Sequence, residues 1–350
     1  MLHWLERYKD SSETLQMALI KYSEMSTGKG SGHENISRRV DRGLLKVTDG
    51  WDFHGNHRYN TQVMFLCALR EGHELLVMHL LRNNKVYIEG KDDDVNKPLF
   101  LALKMGCEVV VKLLLEKGQD TSSRDKNGLT PLCWTIANGA GRSTAMLLLD
   151  HGADADLASG EHKATPLSQA ASKGDLDIAE LLLERGADLE CVSPGWLRWR
   201  PLSWATAEGH IAMMRFLVGK GASLTSRDSQ GRTLLMTVAR RGQKDAVAVL
   251  LDWGSPTEPV DIHGRTALSL AAGKGHRDVA ELLLDGGAAI DAPCRGNGSP
   301  LWWAAYGGHE ETVRLLLDGG ADRELRRRGR TTPLQCATKR QKYAVVKLLE

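Results

Sequence analysis

Apolar positions in most of the chain fall into pairs of short helical blocks separated by a glycine. From Thr266 to Asp285 the sequence reads TALSLAAGKGHRDVAELLLD. The first block is rich in small and apolar residues and stops at Gly275, which favours the left-handed backbone that ends a helix. The second block carries the run Leu282-Leu283-Leu284. This stretch predicts two short helices joined by a tight turn.

The paired blocks recur through the chain at intervals of 33 to 35 residues. A fixed internal period of this size indicates a stacked array of repeats, in which each unit buries its apolar face on its neighbours. The first position of each copy is Val63, Lys97, Thr130, Thr165, Arg200, Thr233, Thr266, Ser299 or Thr332.

The residue types at individual positions of the repeat predict the physical role of each position. Proline follows the first position in six copies, as in Thr165-Pro166-Leu167, where a missing N–H at the first helical turn is harmless. A small residue such as Ala271 allows close approach of a neighbouring helix. The helix-ending glycine is present in eight copies and is replaced by Gln341 in the ninth.

These motifs resemble the ankyrin repeat, whose pattern is T-P-L-H-x-A-A-x-x-G-H, a leucine run and G-A-D. The resemblance covers residues 60–350 and implies an all-α fold, an ankyrin-type helix-turn-helix repeat solenoid with β-turn fingers. We count about nine repeats, the last one abbreviated, which favours a fragment of a longer protein. The wording PLSWA at Pro201 to Ala205 is similar to arrays common in fungal proteins.

Residues 1–59 do not follow the pattern clearly. They predict a helical N-terminal segment, a flexible linker at Ser26 to Gly32, and a degenerate capping repeat or a small separate adaptor segment. The linker does not match a phosphate-binding loop, because Ser23 stands where the first glycine is needed.

Composition indicates the cellular compartment of the protein more clearly than it indicates its function. The formal net charge is only +2, and the six cysteines are scattered without a CxxC pair, which favours reduced thiols. The sequence shows no signal peptide and no membrane span. We therefore expect an intracellular protein, cytoplasmic or nuclear.

The chain shows no constellation of catalytic groups. Four histidines, exemplified by His276, share the position after the helix-ending glycine, so a structural role outweighs metal binding. No zinc-protease motif and no nucleophile elbow occurs. We expect no enzyme activity, no cofactor, no metal site and no small-molecule substrate.

The resemblance implies that partners bind the concave groove, formed by the first helices and the finger tips. The two positions before the helix-ending glycine carry eight basic and two acidic residues along the array. This stripe indicates either a solvated face with a chance excess of charge or a groove for an acidic partner. The candidate residues here are Lys173, Glu208, Arg240, Arg241 and Lys274.

Three further features are candidate partner contacts. Trp196, Leu197 and Trp199 fall at finger positions that usually face solvent or a partner, although they could fold against neighbouring fingers. Trp302 and Tyr306 form a second candidate patch. Arg327 and Arg328 belong to a C-terminal stretch, residues 323–350, with nine basic and two acidic residues. That stretch indicates a soluble terminal unit, a nuclear-localisation signal or a patch for an acidic partner.

The sequence thus predicts a monomeric, non-catalytic scaffold or adaptor that binds a protein partner with an acidic surface. One alternative is a recognition or regulatory region of a larger enzyme or signalling protein. Another is binding to nucleic acid or an anionic surface through the basic stripe, which is disfavoured because the stripe lacks interleaved aromatic residues.

Overall fold

The computed structural model describes residues 65–66, 68–70, 72, 74–82, 86, 98–195, 198–292, 298–326 and 331–350. The predictions for segment 1–59, for Trp196 and Leu197, and for Arg327 and Arg328 lie outside these residues. The chain divides into two compact units, Met1–Asp154 and Ala155–Glu350. This division falls inside the predicted array, and the domain boundary near residue 59 stays a prediction.

The first unit contains two layers of short helices. The first helices of its repeats, α2 and α4, pack on each other, while the second helices form a chain of contacts from α1 to α3 to α5. The helices in the described part of this unit are α1 (Glu74–Arg82), α2 (Pro98–Met105), α3 (Glu108–Glu116), α4 (Pro131–Asn138) and α5 (Arg142–Asp150).

The second unit repeats the same arrangement over six pairs of helices. Even-numbered helices are the first helices of their repeats and odd-numbered helices the second, and each helix packs on its counterparts in the adjacent repeats. The helices are α6 (Pro166–Lys173), α7 (Leu176–Glu184), α8 (Pro201–Glu208), α9 (Ile211–Gly219), α10 (Leu234–Arg241), α11 (Lys244–Asp252), α12 (Ala267–Lys274), α13 (Arg277–Asp285), α14 (Pro300–Gly307), α15 (Glu310–Asp318), α16 (Pro333–Lys339) and α17 (Tyr343–Leu349).

The core between the layers uses the repeated small and leucine positions. The small position is inaccessible to solvent in every described repeat, and a leucine in each second helix from α5 to α15 is equally buried. Burying one leucine fully contributes about 2 kcal/mol, so one such residue per repeat is a substantial stabilising term. These leucines are Leu148, Leu182, Leu217, Leu250, Leu283 and Leu316.

The ends of the first helices confirm the roles read from the repeat. In α6 the Thr165 hydroxyl accepts a hydrogen bond from the Ser168 N–H at 3.2 Å, and Pro166 occupies the first turn. The helix ends at Gly174, whose φ of +71° lies in the left-handed region. Gln341 replaces this glycine in the last repeat and still has a φ of +57°, so the backbone geometry is kept without the residue that favours it.

We expect Gln341→Gly to stabilise the terminal repeat by about 1 kcal/mol, because glycine adopts positive φ without the Cβ clash. Urea unfolding measures the change. Thr338→Gly, inside α16, is the matched control and should destabilise by about 1 kcal/mol. Equal destabilisation by both substitutions would contradict the strained conformation at residue 341.

Three of the described connections between repeats are β-turn fingers, as expected from the family resemblance. In the finger that begins at Asp228, the Gly231 N–H donates to the Asp228 carbonyl at 2.9 Å and the Asp228 N–H donates to the Arg232 carbonyl at 3.0 Å. The same two bonds occur at residues 125–129 and 261–265. Among the described residues the only β-bridge joins Ser159 and Ala164, so the described chain is an all-α repeat solenoid within each unit.

Candidate partner-binding surface

The last turns of the first helices in the second unit form a row of charged residues, which we call the groove face. Lys173, Glu208, Arg241 and Lys274 are exposed there, at the ends of α6, α8, α10 and α12. Arg240, one residue before Arg241, is only half-exposed. The five candidate residues of the stripe in this unit therefore all lie in the last turns of first helices, and four of the five are exposed to solvent.

Arg241 is tied to the preceding repeat. Its Nη1 donates to the Ala207 carbonyl at 2.5 Å and lies 3.2 Å from the Glu208 carboxylate. Its guanidinium also stands 6.0 Å from the centre of the Trp199 ring, within cation–π range. Glu208 thus neutralises Arg241, so the free positive charge of the groove face is smaller than the sequence count suggests.

Arg240 has a different environment. Its Nε is buried and has no hydrogen-bond partner in the described part of the chain. Burial lowers the pKa of Arg240, and the positive charges of Arg232, Arg241 and Arg265 lower it further, while Asp228 acts in the opposite direction. Arg240 is consequently a guanidinium in a repulsive, partly desolvated position.

Two arginines beside it are held by finger aspartates, an arrangement that the sequence reasoning missed. Arg232 Nη2 lies 2.6 Å from Asp228 Oδ2, and the two side chains are 5% and 4% exposed. Arg265 Nη2 lies 2.7 Å from Asp261 Oδ2. Both pairs belong to the pattern D-x-x-G-R-T, which places the arginine four residues after the aspartate across one β-turn. This pattern is the feature of the sequence from which the two ion pairs could have been predicted.

The structure corrects the prediction that Trp199 faces solvent. Its side chain is only 6% exposed, because the finger closes back on α8. The Ser193 N–H donates to the Trp199 carbonyl at 2.9 Å, and the indole packs edge-on against Trp204 at 4.9 Å between ring centres. Trp199 is therefore a packing residue of the finger, and its substitution would change the fold together with any binding.

Trp302, which the sequence placed in the second candidate patch for a partner, is also buried. The side chain is 3% exposed, its Nε1 donates to the Thr331 hydroxyl at 3.3 Å, and its ring stacks on Tyr306 at 5.4 Å. Tyr306 is half-exposed, and the Arg340 guanidinium covers its ring at 3.9 Å and donates to its hydroxyl. The two aromatic residues form a packed cluster with Trp303.

The histidines after the helix-ending glycine have the structural role that the sequence predicted. Each described ring places Nε2 at hydrogen-bonding distance from a carbonyl at the end of the preceding first helix, and glutamine does the same in one repeat. These contacts join successive repeats. They run from His210 to Ser172 (2.9 Å), His276 to Arg240 (3.2 Å), His309 to Gly273 (3.2 Å) and Gln243 to Ala207 (2.8 Å).

Other chemistry is not assembled in the part of the chain that the structure describes. No three His, Cys, Asp or Glu side chains there converge as metal ligands. Burial is the main factor that raises the pKa of the Cys107 thiol, which makes it a poor nucleophile. Over the same residues, none of the helices combines the length and the apolar character that crossing a bilayer requires.

Comparisons with known proteins agree with this geometry. The model of the family described as ankyrin repeats matches three times, at residues 110–193, 202–294 and 287–350. The chain is 29% identical over 231 residues to the ankyrin repeat and KH domain-containing protein mask-1 of Caenorhabditis elegans, covering 59% of this chain and 9% of that protein.

Two further relatives come from a fungus and from man. The chain is 31% identical over 150 residues to the ankyrin repeat protein nuc-2 of Neurospora crassa, covering 41% of this chain and 14% of that protein. It is 25% identical over 225 residues to the human SH3 and multiple ankyrin repeat domains protein 2, and this match covers 64% of this chain and 10% of that protein. The chain therefore spans a small part of these relatives. With the family model matched over more than half of its length, the chain belongs to the ankyrin repeat proteins.

Proposed function

We propose that this chain is a non-catalytic protein-interaction module, a scaffold or adaptor, that binds a partner with an acidic surface. The binding surface consists of the groove face and the fingers of the second unit. Ankyrin repeats are generally protein-interaction modules, which supports the general class. The specific choice of an acidic partner rests on the exposed basic residues of the groove face.

The observation that carries the proposal is the exposure of Lys173 and Lys274. Neither side chain is engaged in an ion pair of the described residues, and both project from the ends of first helices. A partner carboxylate could reach them without breaking an existing contact. Such exposed charges speed association and favour partners of opposite sign, and their effect decreases as salt increases.

A display library of random peptides, selected on the intact chain, tests this proposal without a known partner. We expect the recovered peptides to be enriched in Asp and Glu. A synthetic copy of the strongest binder should bind Lys173→Glu/Lys274→Glu about tenfold more weakly at low salt. The matched control is Arg314→Glu on the second helix α15, which reverses an exposed charge away from the groove face.

Recovered peptides without an acidic bias, or equal losses in Arg314→Glu and in the lysine double variant, would contradict the acidic-partner proposal. A location inside the cell, in the cytosol or the nucleus, goes with this function as part of the proposal, and so does a monomeric state.

A second candidate is the recognition or regulatory region of a larger protein. The named relatives favour it, since one carries a KH domain and another an SH3 domain in addition to ankyrin repeats, and the chain covers only 9% and 10% of their lengths. The groove face would then select the partner, and another domain would supply the activity. Sequencing the complete transcript distinguishes this candidate from a stand-alone adaptor.

A further inference from the structure

Arg240, at the end of α10, is within electrostatic range of Arg232, Arg241 and Arg265, and each of these three has an acidic partner. Arg240 itself has no ion-pair partner among the described residues, so this cluster of four arginines has one more positive charge than its acidic partners neutralise. The pairs are Arg232 with Asp228, Arg241 with Glu208, and Arg265 with Asp261.

The position of Arg240 is costly for the folded chain on its own. Its Nε is shielded from solvent and its N–H has no acceptor among the described residues, and a buried donor without a hydrogen bond is unfavourable. Burial lowers the pKa of Arg240, and repulsion from the positive charges of Arg232, Arg241 and Arg265 lowers it further, against the opposing effect of Asp228. The buried Nε without a partner, in a repulsive environment, makes Arg240 a candidate binding residue.

We propose that Arg240 is the anchor for a single carboxylate, the side chain of an Asp or Glu in an acidic peptide segment bound on the groove face. This inference rests on the proposed function and adds the residue and the ligand group. A guanidinium is suited to a carboxylate because it can donate two parallel hydrogen bonds to it.

The charge count favours a carboxylate over a phosphate. One negative charge neutralises the cluster, whereas a phosphorylated side chain carries close to two at neutral pH. The pairs Arg232–Asp228 and Arg265–Asp261 hold their fingers in place, with Arg232 and Asp228 almost fully buried. The site around Arg240 is therefore formed before the ligand arrives, which reduces the ordering cost of binding.

An exposed apolar side chain stands on the same finger as Arg265. Ile262 is 67% exposed, and its N–H donates to the Gln230 carbonyl at 3.0 Å, which links two successive fingers. Because an apolar residue at a finger tip offers contact area without charge, we expect the bound peptide to carry an apolar residue in addition to the anchoring Asp or Glu.

The test measures the affinity of the strongest acidic peptide from the random display library by fluorescence anisotropy. We expect Arg240→Gln to weaken binding about thirtyfold, since it removes a charged hydrogen-bonded pair. Arg240→Lys keeps the positive charge but cannot donate two parallel hydrogen bonds, so it should weaken binding less than Arg240→Gln. Arg314→Gln on α15 is the control and should bind like the intact chain. Replacing the acidic residues of the peptide one at a time by their amides should identify one that accounts for the loss.

Stability provides an independent readout. A residue with a merely structural role would destabilise the chain when neutralised, whereas Arg240→Gln should unfold at a urea concentration no lower than the intact chain, because it removes an unpaired charge. A lower unfolding midpoint for Arg240→Gln would overturn the premise that this guanidinium is uncompensated.

The remaining outcomes separate the two proposals. If acidic peptides bind and are weakened by Lys173→Glu/Lys274→Glu but change by less than about threefold in Arg240→Gln, the proposed function stands and the anchor is wrong. If phosphoserine in place of the anchoring residue binds more than about tenfold tighter, the single-carboxylate assignment is wrong. If no acidic peptide is recovered, both proposals fail.

Discussion

Asp228→Ala should be among the most damaging single substitutions in the second unit, with a loss of about 3 to 5 kcal/mol in the free energy of unfolding. The carboxylate accepts hydrogen bonds from the backbone N–H groups of Gln230 and Arg232 at 2.8 and 2.9 Å and pairs with the Arg232 guanidinium at 2.6 Å. Its removal leaves Arg232 as an unpaired charge that is almost fully buried. Urea unfolding followed by circular dichroism measures the loss.

The first unit contains a natural control for this prediction. The finger at Asp125 has the same two backbone hydrogen bonds, from Asn127 and Leu129 at 2.9 and 2.8 Å, but a leucine four residues after the aspartate. That finger shows that the turn forms without an arginine. We therefore expect Arg232→Leu to cost only about 1 kcal/mol, because Asp228 keeps the backbone donors that suffice for Asp125.

The order of the variants is the critical result. Asp228→Ala/Arg232→Leu should be more stable than Asp228→Ala alone, since the double variant contains no unpaired buried guanidinium. A double variant that is less stable than the single Asp228→Ala would contradict this prediction, because it would show that Arg232 stabilises the finger even without its carboxylate partner.

Gly275→Ala should destabilise the second unit by about 3 kcal/mol, because two separate costs add at this position. The φ of Gly275 is +77°, which costs an L-residue about 1 to 2 kcal/mol. A Cβ there would also lie 2.5 Å from His309 Nδ1 and 2.7 Å from its Cγ. The clash involves the root of the imidazole, so a ring rotation alone cannot relieve it.

Gly254→Ala separates the two costs. Gly254 has a φ of +74°, but a Cβ added there meets no atom within 4 Å, so this control should show the backbone cost alone, about 1 to 2 kcal/mol. Combining Gly275→Ala with His309→Ala should recover the part due to the clash. The contact model for successive repeats is wrong if Gly254→Ala and Gly275→Ala have equal effects on unfolding.

The repeat geometry could be predicted from the sequence because it depends on local rules. A helix-ending glycine, an N-terminal Thr-Pro and a periodic leucine each act within a few residues of chain, and the 33-residue period fixes which of them meet. The role of the histidine after Gly275 was recognised from its repetition alone. Gln243 and Gln341 show the limit of prediction from residue types. Gln243 makes the contact that histidine makes in other repeats, and Gln341 takes the positive φ that glycine takes.

The burial and the charge pairing of the site residues could not be predicted in the same way. Burial of Trp199 depends on a finger that folds back on α8, and burial of Trp302 depends on its contacts with Tyr306 and Thr331. The charge of Arg241 is neutralised by Glu208 of the preceding repeat. These are contacts specific to one repeat, so a pattern averaged over the whole array does not contain them.

The central claim is that an acidic segment binds the fingers and first helices of the second unit rather than its second helices. A photo-crosslinking amino acid placed at Ile262, on a finger and 67% exposed, tests this most directly beside the same probe at Tyr343, on the second helix α17 and 71% exposed. We expect the strongest acidic peptide from the library to be captured from position 262 and not from position 343. Capture from position 343 alone, or equally from both positions, would contradict it.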